Sequence, residues 1–354
     1  MGGQGVTDES DEVLTRVDGT VGLITLNRPQ AINSLNQHMV EALRAVLTDW
    51  ASDDAVSAVV LSGAGERGLC AGGDVVSIYH SARKDGVEAR RFWRDEYLLN
   101  AQVADFPKPY VALMDGIVMG GGVGVSAHAN TRVVTDTSKI AMPEVGIGFI
   151  PDVGGTFLLS RAPGGLGLHA ALTGAPFSGA DAIAMGFADH YVPHDDLEAF
   201  TRAIIADGVQ SALAEHAIEP PPSELAAQHR WMDECYAGDT VEDIVANLHG
   251  HDTGPGPALP QDAADLIGTR SPISLSVTLE AVRRAAKLET VKDVLIQDYR
   301  VSSASLRSHD LVEGIRAQLI DKDRKPKWSP ATLAAVTAAD VEAYFAPVDD
   351  DLSF

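Results

Sequence analysis

Two carboxylates lie in an apolar, glycine-rich stretch of this sequence, where an acid could do chemistry. They are Glu144 and Asp152, within Met142-Pro143-Glu144-Val145-Gly146-Ile147-Gly148-Phe149-Ile150-Pro151-Asp152-Val153-Gly154-Gly155-Thr156. An acid among apolar neighbours holds its proton more tightly and can serve as acid, base or nucleophile near neutral pH. The blander alternatives are that Asp152 caps a helix starting near Gly154 and that Glu144 is a surface side chain.

Two glycine-rich loops upstream could face such acids. Gly120-Gly121-Gly122 falls between an expected strand and an expected helix. Glycines permit close approach of a ligand, and the first amides of a helix have no internal acceptor and sit in positive potential. That equipment suits a developing oxyanion or a phosphate, although a glycine triplet is as consistent with a tight strand-to-helix crossing. Gly68-Leu69-Cys70-Ala71-Gly72-Gly73-Asp74 is a similar loop, with Asp74 able to cap the next helix. Cys70 has no evident histidine partner and reads as a small packed thiol.

Other chemistries fit less well. Gly122-Val123-Gly124-Val125-Ser126-Ala127 matches a dinucleotide fingerprint, with Glu144 about twenty residues on. The run lies mid-chain, however, and Pro143 before the acid does not suit the end of a central strand. Gly124-Val125-Ser126-Ala127-His128 lacks the last glycine of a nucleophile elbow. The sequence has no H-E-x-x-H, C-x-x-C or Walker motif, so no metal site is expected. Cys70 and Cys235 are the only cysteines, which gives no disulfide framework and points to a reducing cytoplasm. His128 reads as helix packing.

The positioning elements follow from patterning. Val13 to Val17 and Val21 to Leu26 flank Asp18-Gly19 as a hairpin. Asn36 precedes Met39, Leu43, Val46, Leu47 and Trp50 at helical spacing. Ala58 to Leu61, Tyr110 to Met114 and Arg132 to Thr135 read as strands. A polar helix is expected over roughly 75–104, ended by Lys108-Pro109, and another from the glycine triplet to about Ala129. Strand, glycine-rich turn and helix thus alternate, as in an α/β core over 13–195. The remainder, 196–354, reads as mainly helical, with proline-rich breaks at Glu219-Pro220-Pro221-Pro222 and Gly254-Pro255-Gly256-Pro257.

The chain has 354 residues and is 45% hydrophobic, enough to bury a sizeable core, yet it contains no apolar run long enough for a membrane helix. The first residues show no signal or transit pattern. A net charge of -23 argues against nucleic acid and anionic membranes as partners. An anionic ligand would need a local basic patch, for which Arg28, Arg67, Lys84, Arg90, Arg91 and Arg94 are candidates.

In order and spacing, five motifs resemble the crotonase (enoyl-CoA hydratase/isomerase) superfamily. They are Leu26-Asn27-Arg28-Pro29, Asn33-Ser34-Leu35, Cys70-Ala71-Gly72-Gly73-Asp74, Asp115-Gly116 with the glycine triplet, and Pro143-Glu144-Val145-Gly146. The resemblance implies an α/β spiral of ββα units, an acyl-CoA substrate, and an oxyanion hole formed by the Gly73 and Gly121 amides. Within the superfamily the chain is most similar to the 3-hydroxyisobutyryl-CoA hydrolases. That likeness rests on Pro151-Asp152-Val153-Gly154-Gly155 and on Arg270-Ser271-Pro272, Glu313-Gly314-Ile315-Arg316-Ala317 and Leu319-Ile320-Asp321-Lys322-Asp323 with Pro326-Lys327-Trp328. It implies substrate contacts at Glu96, Gly121, Glu144 and Asp152, catalysis by Glu144 and Asp152, no separate cofactor, and a homo-oligomer such as a trimer. Hydratases of the superfamily carry a second glutamate three residues after the middle glycine of the triplet. Gly124 stands there, so hydrolysis is expected ahead of the alternative, hydration or isomerisation of an enoyl-CoA.

Overall fold

The computed structural model describes residues 11–253 and 258–354; the Gly254-Pro255-Gly256-Pro257 break lies outside them. Nine strands occur among the described residues: β1 (Val13–Asp18), β2 (Val21–Leu26), β3 (Ala58–Gly63), β4 (Tyr110–Met114), β5 (Ile117–Met119), β6 (Thr131–Val134), β7 (Lys139–Ala141), β8 (Phe177–Ser178) and β9 (His190–Tyr191). The hairpin expected at Asp18-Gly19 is present, with β1 and β2 antiparallel and Asp18 opposite Val21. One sheet runs β1-β2-β3-β4-β6-β9, parallel from β2 onward, and a second runs β5-β7-β8. Every residue of β4 is buried, as a strand covered on both faces requires.

Helices fill the connections. Helix Gln37–Ser52 starts where Asn36 accepts the Met39 amide at 2.9 Å, and it buries Met39, Val40, Leu43, Leu47 and Trp50 on one face. The single helix expected over 75–104 is instead two, Val75–Ala82 and Val87–Ala104. Gly86 breaks it with a left-handed φ of 71°. The regular helix after the glycine triplet spans only Gly121–Gly124, not the length to Ala129. Beyond it the chain tightens into shorter turns, Ser126 N–H to Val123 O and Ala129 N–H to Ser126 O.

From Leu197 onward the described chain consists of helices and the loops between them, with no further strand. Two late helices return to the α/β core at the site. Helix Val291–Ser305 packs on Val87–Ala104, and helix His309–Ile315 lies on the short turn Glu144–Ile147. This second contact is backbone against backbone. A Cβ on Gly148 would lie 2.0 Å from the Asp310 carbonyl oxygen, and one on Gly314 would lie 2.3 Å from that of Ile147. One apolar cluster therefore joins Trp93 and Tyr97 with Leu295, Tyr299, Leu311 and Ile315. No described helix is long and apolar enough to cross a membrane.

Candidate active site

Gly73, Gly121, Glu96, Glu144 and Asp152 all line one cavity of about 430 Å³, within the usual range for small-molecule sites. Its apolar wall includes Phe92, Trp93, Ile147 and Phe149, with the Trp93 and Phe149 rings stacked at 5.2 Å. The closing wall comes from Arg270, Leu311, Ile315, Gln318 and Leu319 of the helical region.

The amide side of the cavity is built by two loops. Leu35 bridges Gly73, donating its own N–H to Gly72 and accepting that of Asp74, which leaves the Gly73 N–H without an acceptor. Gly121 opens its helix, so its N–H has no acceptor either. A Cβ built on Gly121 would lie 3.2 Å from the Gly73 nitrogen and 2.5 Å from Glu96 Oε1, which puts both amides and that carboxyl at one spot.

The acid side holds three buried carboxyls. Glu96 Oε1 and Glu144 Oε2 are both buried without a hydrogen-bond partner. Burial first, then the Asp152 charge, pushes Glu144 and Glu96 well above the ordinary carboxyl range, with Glu96 adding to the rise at Glu144. Burial pushes Asp152 up to about 7, against the opposing hydrogen bond from Tyr97. The trio therefore does not carry three full charges at neutral pH and titrates as a set.

The blander alternatives for these acids do not hold. Glu144 is 7% exposed. The Asp152 carboxylate does not cap the helix Gly155–Leu159, whose preceding Gly154 N–H is instead taken by Asp298 Oδ2 at 2.8 Å. Asp152 Oδ2 accepts the Tyr97 hydroxyl at 2.6 Å. His128 is buried packing, as expected, with a ring nitrogen 2.8 Å from the Val153 carbonyl. A carbonyl only accepts, so Nε2 carries the proton. Cys70 is buried, and burial pushes its thiol up to about 12, which suits a packed thiol.

The expected basic patch is largely neutralised. Arg28 pairs with Glu12 and Asp74, Arg91 with Glu41 and Asp95, and Arg90 and Arg94 with Asp350. Arg67 is held by the Pro29 carbonyl. In an acidic chain, isolated cations find carboxylates readily. Downstream of the cavity-lining Gln318 and Leu319, the exposed Lys322, Arg324, Lys325 and Lys327 have side chains without an ion pair.

Sequence reasoning missed Tyr97, Asp298 and Ser302. Tyr97 adjoins Glu96, and Asp298 and Ser302 are one helical turn apart, a spacing that puts both on one face of their helix.

The model of the "Enoyl-CoA hydratase/isomerase" family matches residues 21–345. The human protein named "3-hydroxyisobutyryl-CoA hydrolase, mitochondrial" is 39% identical over 360 residues, covering 98% of this chain and 92% of its own length. Its zebrafish (Danio rerio) namesake is 38% identical, covering 96% and 90%. Among solved structures, one titled carnitinyl-CoA dehydratase, from Mycobacterium thermoresistibile, is 71% identical with a TM-score of 0.94, covering 98% and 99%. Another, titled enoyl-CoA hydratase, from Rhodobacter sphaeroides, is 39% identical with a TM-score of 0.91, covering 97% and 100%. Such agreement over nearly the whole length, in sequence and in fold, means that the chain belongs to the enoyl-CoA hydratase/isomerase family.

Proposed function

We propose that this protein hydrolyses a 3-hydroxyacyl-CoA thioester, with 3-hydroxyisobutyryl-CoA, a valine-catabolic thioester, as the leading substrate. The observation that carries this reading is the pair of unsatisfied amides, Gly73 and Gly121, beside Glu144, with no path into the cavity for a further glutamate from position 124. A Cβ at Gly124 would lie 2.7 Å from Asn100 Nδ2 and 2.8 Å from the Val153 Cβ, so a glutamate side chain has no path from that position into the cavity.

The thioester carbonyl oxygen sits between the two amides. As its carbon becomes tetrahedral, negative charge gathers on that oxygen, and each amide lowers the barrier by about 3 kcal/mol. Glu144, in its ionised form, attacks the carbon to give an anhydride that water then hydrolyses, or deprotonates a water that attacks the carbon directly. Asp152 orients the acyl group or returns a proton to the departing CoA thiolate. Glu96 contacts the substrate hydroxyl. The phosphates of CoA are assigned to the exposed basic run from Lys322 to Lys327. CoA is part of the substrate, so no cofactor is invoked. The curated relatives' names say mitochondrial; for this chain we propose the cytoplasm, on its two free cysteines.

The second reading is a hydratase or dehydratase, favoured by the titles of the two solved structures. Two assays on one preparation separate the readings. Thiol release from 3-hydroxyisobutyryl-CoA is expected, with slow or no loss of the enoyl absorbance of crotonyl-CoA. Fast crotonyl-CoA hydration without thiol release from any 3-hydroxyacyl thioester would overturn the hydrolase.

A further inference from the structure

Behind Asp152 lies a hydrogen-bonded chain. Tyr97 hydroxyl lies 2.6 Å from Asp152 Oδ2 and 2.6 Å from Ser302 Oγ. Tyr97 and Ser302 are fully buried and Asp152 nearly so, which shields these bonds from bulk water. A phenol has one proton. When that proton goes to an ionised Asp152, the Ser302 hydroxyl must donate to the phenol oxygen, so the chain has one direction. Each donation polarises the next, which strengthens the bond at Asp152.

The same helix grips the other side of the loop. Asp298, one turn before Ser302, accepts the Gly154 N–H at 2.8 Å and lies 3.4 Å from Thr156 Oγ1. Between these grips Val153 has φ of 52°, a costly conformation for a β-branched residue that persists only where its surroundings impose it. His128 fixes the Val153 carbonyl from a third direction.

We infer that Tyr97 and Ser302 are positioning residues for Asp152: helix Val291–Ser305, supplied by the late part of the chain, orients the Asp152 carboxyl through the Tyr97 phenol. This rests on the proposed role of Asp152 in the cavity. The titratable groups facing Asp152 are Tyr97 and Glu96 from helix Val87–Ala104, Glu144 from its turn, and Asp298 from helix Val291–Ser305. Tyr97 is the neighbour whose hydrogen bond favours ionised Asp152.

The test compares Tyr97→Phe, Ser302→Ala and Ser303→Ala. Ser303 is a control on the same helix, equally buried, with an oxygen that has no partner. Tyr97→Phe should lower kcat about tenfold or more with KM within twofold, and should move the pH limb near 7 upward by about one unit. Ser302→Ala should do the same to a smaller degree, and Ser303→Ala neither. A limb that stays in place in Tyr97→Phe, or moves as far in Ser303→Ala as in Ser302→Ala, overturns the inference. A substrate-free readout separates this from failure of the hydrolase reading. In ¹³C-aspartate NMR, the signal lost in Asp152→Asn should titrate at higher pH in Tyr97→Phe, and an unmoved titration also overturns the inference.

Discussion

The two sides of the cavity are made by different means. The amide side is backbone: Gly73 and Gly121 present N–H groups whose places are set by local loops and by the Leu35 bridge. The acid side is side chain: Glu144 and Asp152 ride on a turn and a loop held by residues from far along the sequence, Asp310 and Gly314 for one, Asp298 and Ser302 for the other. Backbone donors are fixed once the fold forms, whereas buried acids need a scaffold that sets both direction and proton affinity.

That contrast can be broken most forcefully at Gly121. A valine there would project between the Gly73 nitrogen and Glu96 Oε1. Gly121→Val is expected to lose about a thousandfold or more in thiol release while circular dichroism stays native. A folded, active variant would move the amide hole elsewhere. Next in size is Glu144→Gln, which keeps shape and removes charge. Turnover should fall at least about a hundredfold with CoA-thioester binding retained by calorimetry; near-normal turnover would remove Glu144 from the chemistry. The smallest effect is on stability. Asp152 is raised to about 7 in the folded chain, above its unfolded value, so its contribution is fully present at low pH and is lost as pH rises through 7. Asp152→Asn should therefore show a shallower fall in Tm between pH 4 and 8, by a few degrees, in thermal scans. Equal slopes would mean that Asp152 titrates normally.

The glycine-rich loops of the amide side were legible in the sequence because their signal is local; the choice of Gly73 and Gly121 within them came from the family resemblance. Glycine runs between strand and helix declare close approach within a few residues, and the Asn36 and Asp74 caps behaved as their positions suggest. The two acids were legible as types, from their apolar surroundings. Their support was not. Nothing within reach of Asp152 in the sequence indicates Ser302, and the Tyr97–Ser302 contact depends on how two helices pack. The partners of the candidate cations were hidden for a related reason: a positive charge is visible in sequence, but the carboxylate that pairs with it across the fold, such as Asp350 for Arg90 and Arg94, is not. The break at Gly86 was readable from its residue type, and the polar run around it hid it.

The late arrival of the closing helices has a consequence for timing. Chains leave the ribosome from the N-terminus at about 5–20 residues per second, so Ser302 follows Asp152 by roughly 8–30 seconds. During that interval the nascent chain has its amide pair and its acids but lacks helix Val291–Ser305 behind Tyr97 and the Leu311 and Ile315 wall. A chain cut short by a premature stop before Ser302 would carry Glu144 and Asp152 without the helix that holds their loop.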